Sequence, residues 1–189
     1  AALWEADRTS WAGDQPVTAW LATQLPLVPV SGAHLSTATT DGHHLLFNAA
    51  WSATLDDPTR QFLQAHLVWH CVAGHLYIPR DGEKRRWHLA CDHDVNALLL
   101  LLGIPLPDDA VLFPGCIGRS LPAVYDWLEH FPSLERESSL DLAPVTWAPR
   151  APNRKLLQQW HERALEIAKR YLGTPDLPDH IAAFLVTRQ

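Results

Sequence analysis

The most constraining feature of the sequence is a pair of histidines inside an apolar stretch, AHLVWHCVAGHL. Asp57 is predicted as an N-cap and Pro58 as the first helical residue, and the apolar pattern then continues until Pro79 stops it. His66 and His70 are four residues apart, so they lie on one face of this predicted helix. Because an imidazole without a partner is costly to bury, the pair indicates a shared ligand, most simply a metal ion.

A second helix is predicted over about residues 86–102, because Gly103 and a proline follow it. On this helix His88, Asp92 and Asn96 form a line of residues four apart, and the leucines that come next must belong to the core. A short polar connection makes the two helices an antiparallel pair. That arrangement brings Asp92 or His88 towards the two histidines of the first helix.

Three stretches together carry a resemblance to a known bacterial family: TATTDGHHLLFNAAW, HLVWHCVAGHL and WHLACDHDVNALL. Over about residues 20–130 the chain resembles the family described as a putative metallopeptidase domain. That family has an HExxH motif, a further histidine after four more residues, and a helix with the pattern Ala-x-Asp-x-x-x-Asn. The matching residues are His66, His70, His75, Ala90, Asp92, Asn96 and the upstream hairpin Thr40-Asp41-Gly42.

The resemblance implies both a cofactor and partners. It implies a zinc ion held by a zincin-like helix pair. Domains of this family commonly precede a von Willebrand-factor-A-like domain and are encoded near AAA+ ATPases. We therefore expect a protein or peptide partner within a bacterial multiprotein system.

The third metal ligand has two candidates. Asp92 follows His70 by 22 positions, close to the interval at which gluzincins place a carboxylate ligand, and we prefer it. His75 faces away from the pair on a regular helix, unless Gly74 bends the chain and brings it back. Asn96 is expected to orient a ligand from behind. The remaining alternatives are His88, His93 and Asp94.

One position departs from the family pattern, since Leu67 stands where the motif has Glu. In zincins that Glu activates the metal-bound water and carries its proton to the leaving amine. A leucine can do neither. We therefore expect a pseudoenzyme, inactive or weakly active as a peptidase, that keeps its zinc site and works as a binding or scaffold module. Replacing Leu67 by Glu should give weak activity if the cleft is otherwise intact.

Two other functions stay open at this stage. An active zinc-dependent hydrolase could use Asp92 or Asp94 as a substitute base. A metal-free helical interaction domain would need neither metal nor base. Metal content separates the last reading from the others, and a peptidase assay separates the first two.

The predicted fold is α+β and mostly helical, with the helix pair and a small hairpin or sheet. Two strands, 34–40 and 43–48, are joined at Asp41-Gly42, a strong hairpin signal. The hairpin either borders the cleft, where it can pair with an extended peptide, or merely covers the core. A long polar loop at 131–152 could lie across the cleft.

Length fits a single domain over 1–189, with a core at about 15–130 and a C-terminal helical segment at 153–189. A net charge of −6 without a basic cluster argues against nucleic-acid binding. The apolar run 97–102 is too short to span a bilayer. Three cysteines without paired spacing indicate a reduced, cytoplasmic protein, and the absence of methionine indicates a processed chain or a fragment.

Overall fold

The computed structural model describes residues 1–78, 83–143 and 153–187. Its elements are α1 Ala2–Asp14, α2 Pro16–Thr23, β1 Leu27–Val30, β2 Ala38–Thr40, β3 Leu45–Asn48, α3 Ala49–Ser52, α4 Asp57–Val72, α5 Lys84–Leu101, α6 Leu121–Glu129, α7 Arg154–Tyr171 and α8 Asp179–Thr187. Two short 3-10 turns lie at Pro114–Cys116 and Leu134–Arg136. The fold is α+β and mostly helical, which confirms the predicted class.

Helix α4 lies at the centre of the fold because apolar residues cover all of its sides. Every residue from Phe62 to Val72 is buried, and the helix contacts α1, α2, α5, α7 and the strands β2 and β3. The predicted N-cap was wrong by one residue. Asp56 caps the helix, and its carboxylate accepts a hydrogen bond from the Thr59 amide at 2.9 Å.

Helix α4 ends at Val72, earlier than the apolar pattern predicted. Gly74 adopts a φ of +75°, a conformation that glycine takes without steric cost. The Gly74 amide donates to the carbonyl of Cys71 at 3.1 Å, and the His75 amide donates to the carbonyl of His70 at 2.9 Å. This is the Schellman arrangement of a helix C-terminus. The chain therefore folds back over the last turn of α4.

Helix α5 pairs with α4 as predicted, although it begins at Lys84 rather than near residue 86. His66 contacts Asn96 and His70 contacts Asp92. Residue numbers therefore increase along α4 in the direction in which they decrease along α5. The two helices are therefore antiparallel. The predicted stop of α4 and most of the connection fall at residues 79–82, outside the described residues.

The sheet has the strand order β1-β3-β2, with β2 antiparallel and β1 parallel to the central β3. The hairpin at Asp41-Gly42 is confirmed, although its strands are shorter than the predicted 34–40 and 43–48. Strand β1 was not predicted, because Pro29 argued for a break. As an edge strand, however, β1 tolerates proline, which has no N–H group to donate to a neighbouring strand.

A buried ion pair fixes α1 against the outer end of α4. Arg60 donates to both carboxylate oxygens of Asp7, at 2.7 and 3.0 Å. Nearby, Arg8 donates to the side chain of Gln64 at 2.6 Å. These contacts satisfy the polar groups of the half of α4 that lies away from its histidines.

The main hydrophobic core takes residues from Trp4 in α1 to Leu185 in α8, and a second cluster joins α5 to α6. The assignment of residues 1–189 to one domain stays a prediction. Within the described ranges, no helix combines the length and the apolar character needed to cross a bilayer.

Candidate metal centre

Four side chains from three parts of the chain converge between α4 and α5. They are His66 and His70 of α4, Asp92 of α5, and Asp141 of the loop after α6. One donor atom from each lies within 4.8 Å of the other three. All four residues are buried, with at most 3% of the surface of any of them exposed. The structure thus brings together three residues that the sequence analysis named and one that it did not.

The spacing of the donor atoms is close to that around a tetrahedral metal ion. His70 Nε2 lies 3.4 Å from Asp92 Oδ1 and 4.0 Å from Asp141 Oδ2. His66 Nε2 lies 3.7 Å from Asp92 Oδ1 and 3.6 Å from Asp141 Oδ1. Donors about 2.0–2.1 Å from a tetrahedral zinc ion are roughly 3.3–3.4 Å apart. The two Nε2 atoms, at 2.8 Å, would separate slightly around an ion.

The carboxylates supply the test of whether a cation fits. Asp92 Oδ1 and both side-chain oxygens of Asp141 are buried, and they accept no hydrogen bond from the residues that the structure describes. Two buried carboxylates are costly unless positive charge lies beside them. A divalent cation would neutralise both and would use these same oxygen atoms. The donor set therefore fits a metal ion.

Asn96 orients His66. Its Oδ1 lies 2.8 Å from Nδ1 of His66, and its Nδ2 donates to the carbonyl of Val111 at 2.8 Å. Because the amide oxygen can only accept, Nδ1 of His66 carries a proton, and Nε2 is directed at the other donors. Asn96 thus lies behind a candidate ligand, as the sequence analysis expected. Its role in binding stays a prediction.

His75 lies behind His70 instead of among the four donors. The bend at Gly74 does return it to the helix, but its Nδ1 is 3.1 Å from Nδ1 of His70. Its Nε2 is 3.2 Å from Oδ2 of Asp94. When His70 presents a bare Nε2 to an ion, its Nδ1–H donates to His75. His75 then carries its own proton on Nε2 and donates to Asp94.

The other two histidines considered as ligands have different surroundings. His88 is buried, and its Nε2 lies 3.2 Å from Oδ1 of both Asp92 and Asp141. It can therefore compensate the carboxylate charge. His93 lies outside the group of four, and its Nδ1 accepts a hydrogen bond from the Phe113 amide at 3.1 Å.

The buried groups strongly perturb one another's protonation. Burial disfavours the protonated form of His66, but Asp141 and Asp92 outweigh burial and raise the pKa of His66 to about 10. Burial and then the charge of His66 lower the pKa of His70 to about 4. Despite burial and the neighbouring charge of Asp92, His88 and His66 lower the pKa of Asp141 to about 2. The site therefore favours ionised carboxylates with a positive charge between them.

Asp141 belongs to residues 139–143, a segment that we call the strap. Its first residue, Ser139, donates a hydrogen bond of 2.6 Å to Oδ2 of Asp92. The loop 131–152 was expected to be able to lie across the cleft, and its described part contacts the candidate metal centre through Ser139 and Asp141. Asp141 was not predicted, because no motif or helical spacing marks this residue. The weak available signal was an acidic side chain in a long polar loop.

The strap also contacts the outer edge of the sheet. The Leu142 amide donates to the carbonyl of Ala38 in β2 at 2.8 Å, and the Thr39 hydroxyl donates to the carbonyl of Ala143 at 3.2 Å. The other edge of β2 pairs with β3. The hairpin therefore does border the candidate site, and the chain's own strap lies along it.

A family model described as a putative metallopeptidase domain matches residues 6–158. This range contains both α4 and α5 and all four candidate ligands. The chain belongs to the putative metallopeptidase domain family. No curated protein and no solved structure gives a significant match. The resemblance to the family is therefore confirmed, whereas the association with von Willebrand-factor-A-like domains and AAA+ ATPases stays a prediction.

In this member of the metallopeptidase domain family, the position of the motif Glu faces the core. Leu67 is fully buried and belongs to the main hydrophobic cluster, so it brings no proton-transfer group to the site. Of the two substitutes considered, Asp92 is itself one of the four donors. Asp94 lies beside His75.

A cavity of about 880 Å³ lies next to the candidate metal centre of this metallopeptidase-like chain. His75 and Asp94 line it, together with aromatic residues that include Trp87 and Trp160. None of the four donor residues is part of its described lining. The hydrogen-bonded row from His70 through His75 to Asp94 therefore leads from the centre to the cavity.

Proposed function

We propose that this chain is a metallopeptidase-like module that binds one zinc ion through His66, His70, Asp92 and Asp141 without hydrolysing peptides. The observation that carries the proposal is the convergence of four buried donors, including carboxylate oxygens that accept no hydrogen bond within the described part of the chain. Membership of a family described as a putative metallopeptidase domain supports the binding of a metal ion.

The donor set supports zinc and a closed site. Imidazole and carboxylate at tetrahedral spacing suit zinc, and structural zinc sites take four protein ligands, whereas catalytic sites take three and leave one position to water. When bound, the ion would act as a Lewis acid towards any group that reached it. Here Asp141 would hold the position that water takes in a catalytic site.

Two features of this chain support the absence of peptidase activity. Leu67 cannot transfer a proton, and general acid–base catalysis contributes typically ~10²–10⁴-fold. Asp141 also keeps the fourth donor position within the protein. A binding or scaffold role, in a multiprotein system of a bacterial cytoplasm, is the function that remains for such a module. The buried thiols Cys71 and Cys116, which form no disulfide, support a reducing compartment.

The proposal is tested by elemental analysis of protein prepared without a histidine tag. We expect about one zinc ion per chain in the wild type and loss of the metal in His66→Ala and in His70→Ala. Asp141→Asn keeps three ligands and should bind zinc more weakly, so that it is loaded only when zinc is in excess. His130→Ala serves as the matched control, because that histidine is exposed. A wild-type protein that holds no metal, and that gains no thermal stability from added zinc, would overturn the proposal.

A second candidate function is an active hydrolase that uses Asp94 as its base. The position of Asp94 and His75 on the wall of the cavity favours it. Robust, chelator-sensitive peptide cleavage by the wild type, abolished by Asp94→Asn, would establish this alternative. Absence of cleavage at saturating zinc would support the inactive module.

A further inference from the structure

The strap makes two contacts that an extended peptide would make in a groove between the metal centre and the sheet. The carboxylate of Asp141 joins the group of four donors. One residue later, the amide of Leu142 donates to the carbonyl of Ala38 on the outer edge of β2. A side-chain ligand and a backbone hydrogen bond thus come from neighbouring residues of a short segment.

The groove has chemistry that extends beyond this one segment. An exposed strand edge offers backbone groups that pair with any extended chain, and peptide recognition commonly uses such edges. At its inner end, His66, His70 and His88 surround the place where the carboxylate of Asp141 lies. A peptide with an acidic side chain satisfies both parts of the groove.

The strap is held by polar contacts and by partial packing of Leu140 and Ala143 against the two hydrophobic clusters. Ser138 before it is exposed, Ser139 and Leu140 are half-buried, and Leu142 keeps 37% of its surface exposed. Segments with few buried apolar contacts open at a lower free-energy cost than core helices. Asp141 is the one fully buried residue of the strap, so its carboxylate is the main fastening to the centre.

We propose that the metal centre and the outer edge of β2 form a binding groove for an extended peptide with an acidic side chain, and that the strap occupies this groove as a built-in ligand. The proposal rests on the proposed metal site. A segment tethered beside its own site has a local concentration of about millimolar or higher. An external peptide therefore binds only when it displaces the strap or when the strap is weakened.

The experiment uses a fluorescently labelled peptide of residues 137–143, ESSLDLA, with zinc-loaded full-length protein. We expect Asp141→Ala to bind this peptide at least 10-fold more tightly than the wild type does, because its own strap no longer competes. The same peptide with alanine in place of its aspartate should not bind. Asp176→Ala, which removes an exposed acidic residue, is the control and should behave as the wild type.

The possible outcomes separate this proposal from the metal proposal. The groove proposal would be overturned if zinc-loaded Asp141→Ala did not bind the peptide, or if the wild type bound it equally well. Absence of zinc from the wild type would overturn the metal site instead.

A measurement on the wild type covers the case in which Asp141→Ala loses its metal or its fold. Hydrogen exchange of the Leu142 amide should be faster than that of the α4 core and should slow when zinc is added. Exchange as slow as in the core, with or without zinc, would make the strap a fixed part of the fold and overturn the proposal.

Discussion

At the scale of single residues, the two candidate ligand histidines are oriented by different means. Asn96 accepts a hydrogen bond from His66 and is itself anchored to a backbone carbonyl. His75 performs the corresponding task for His70 and is backed by Asp94. Partners of this kind fix which ring nitrogen is bare and commonly change metal affinity 10–100-fold.

The first prediction concerns His75. His75→Phe removes the acceptor for Nδ1–H of His70, so zinc affinity should fall by about 10–100-fold. His75→Asn places an amide oxygen near the position of Nδ1, and it should keep most of the affinity. Competition with a chromophoric chelator measures both values. Equal losses in the two variants would indicate that His75 binds the metal directly.

The second prediction concerns Leu67. Glu at this position would place a carboxyl group in the main core, where burial raises its pKa and favours the neutral form. We expect Leu67→Glu to lower the free energy of unfolding by about 2–5 kcal/mol. Denaturant unfolding measures this loss, with Leu67→Gln as the uncharged control.

Activity in the same variant gives a separate result. The expectation of weak activity from Leu67→Glu required an otherwise intact cleft, and the structure shows Asp141 and the strap across it. We therefore expect no peptide hydrolysis from the single variant. Cleavage by Leu67→Glu with Asp141 unchanged would show that the strap does not block the site.

From the sequence, only the site residues that lie on helices could be predicted, because helical periodicity shows which of them share a face. Spacing by four residues put His66 with His70 and Asp92 with Asn96, because such residues share a helix face. Asp141 lies in irregular backbone, where no period links sequence to direction. Its place depends on tertiary contacts with β2 and α5, which local sequence does not encode.

At the scale of elements, turns decide where the site residues lie. The glycine pattern predicted the hairpin correctly, but the length of α4 was overestimated because Leu76 continued its apolar pattern. The Schellman motif at Gly74 ends the helix before the apolar pattern does. Strand β1 was missed for the opposite reason, since its proline is harmless at an edge.

The third prediction concerns the hairpin turn. Gly42 has a φ of +78°, and a Cβ there would lie 2.7 Å from Leu156 and 2.9 Å from Leu76. Gly42→Ala should therefore cost about 2 kcal/mol of stability through backbone strain and crowding. Thermal unfolding measures the loss. Gly13→Ala is the control, since nothing lies within 4 Å of a Cβ at Gly13 and its φ is not positive.

At the scale of the whole molecule, the candidate metal centre joins parts of the chain that are far apart in sequence. Its donors come from α4, from α5 and from the strap, which also contacts the hairpin. An ion that binds only the folded arrangement stabilises all of these elements together.

The fourth prediction is therefore a linked loss of stability on metal removal. With zinc at about 1,000 times its dissociation constant, linkage contributes about 4 kcal/mol. Dialysis against a chelator should lower the free energy of unfolding by that order, and added zinc should restore it. Asp141→Asn should show a much smaller difference between the two conditions. An equal response in both proteins would place the bound metal elsewhere.

The burial of the four donors also affects how fast a bound metal ion can be released. With at most 3% of any of these residues exposed, neither an ion nor a chelator reaches them until part of the protein opens. The strap is the part of the site that lies outside any helix or strand. Metal release should therefore proceed at the rate at which the strap opens. That rate should level off as chelator concentration rises, so the protein itself would set how long it keeps its ion.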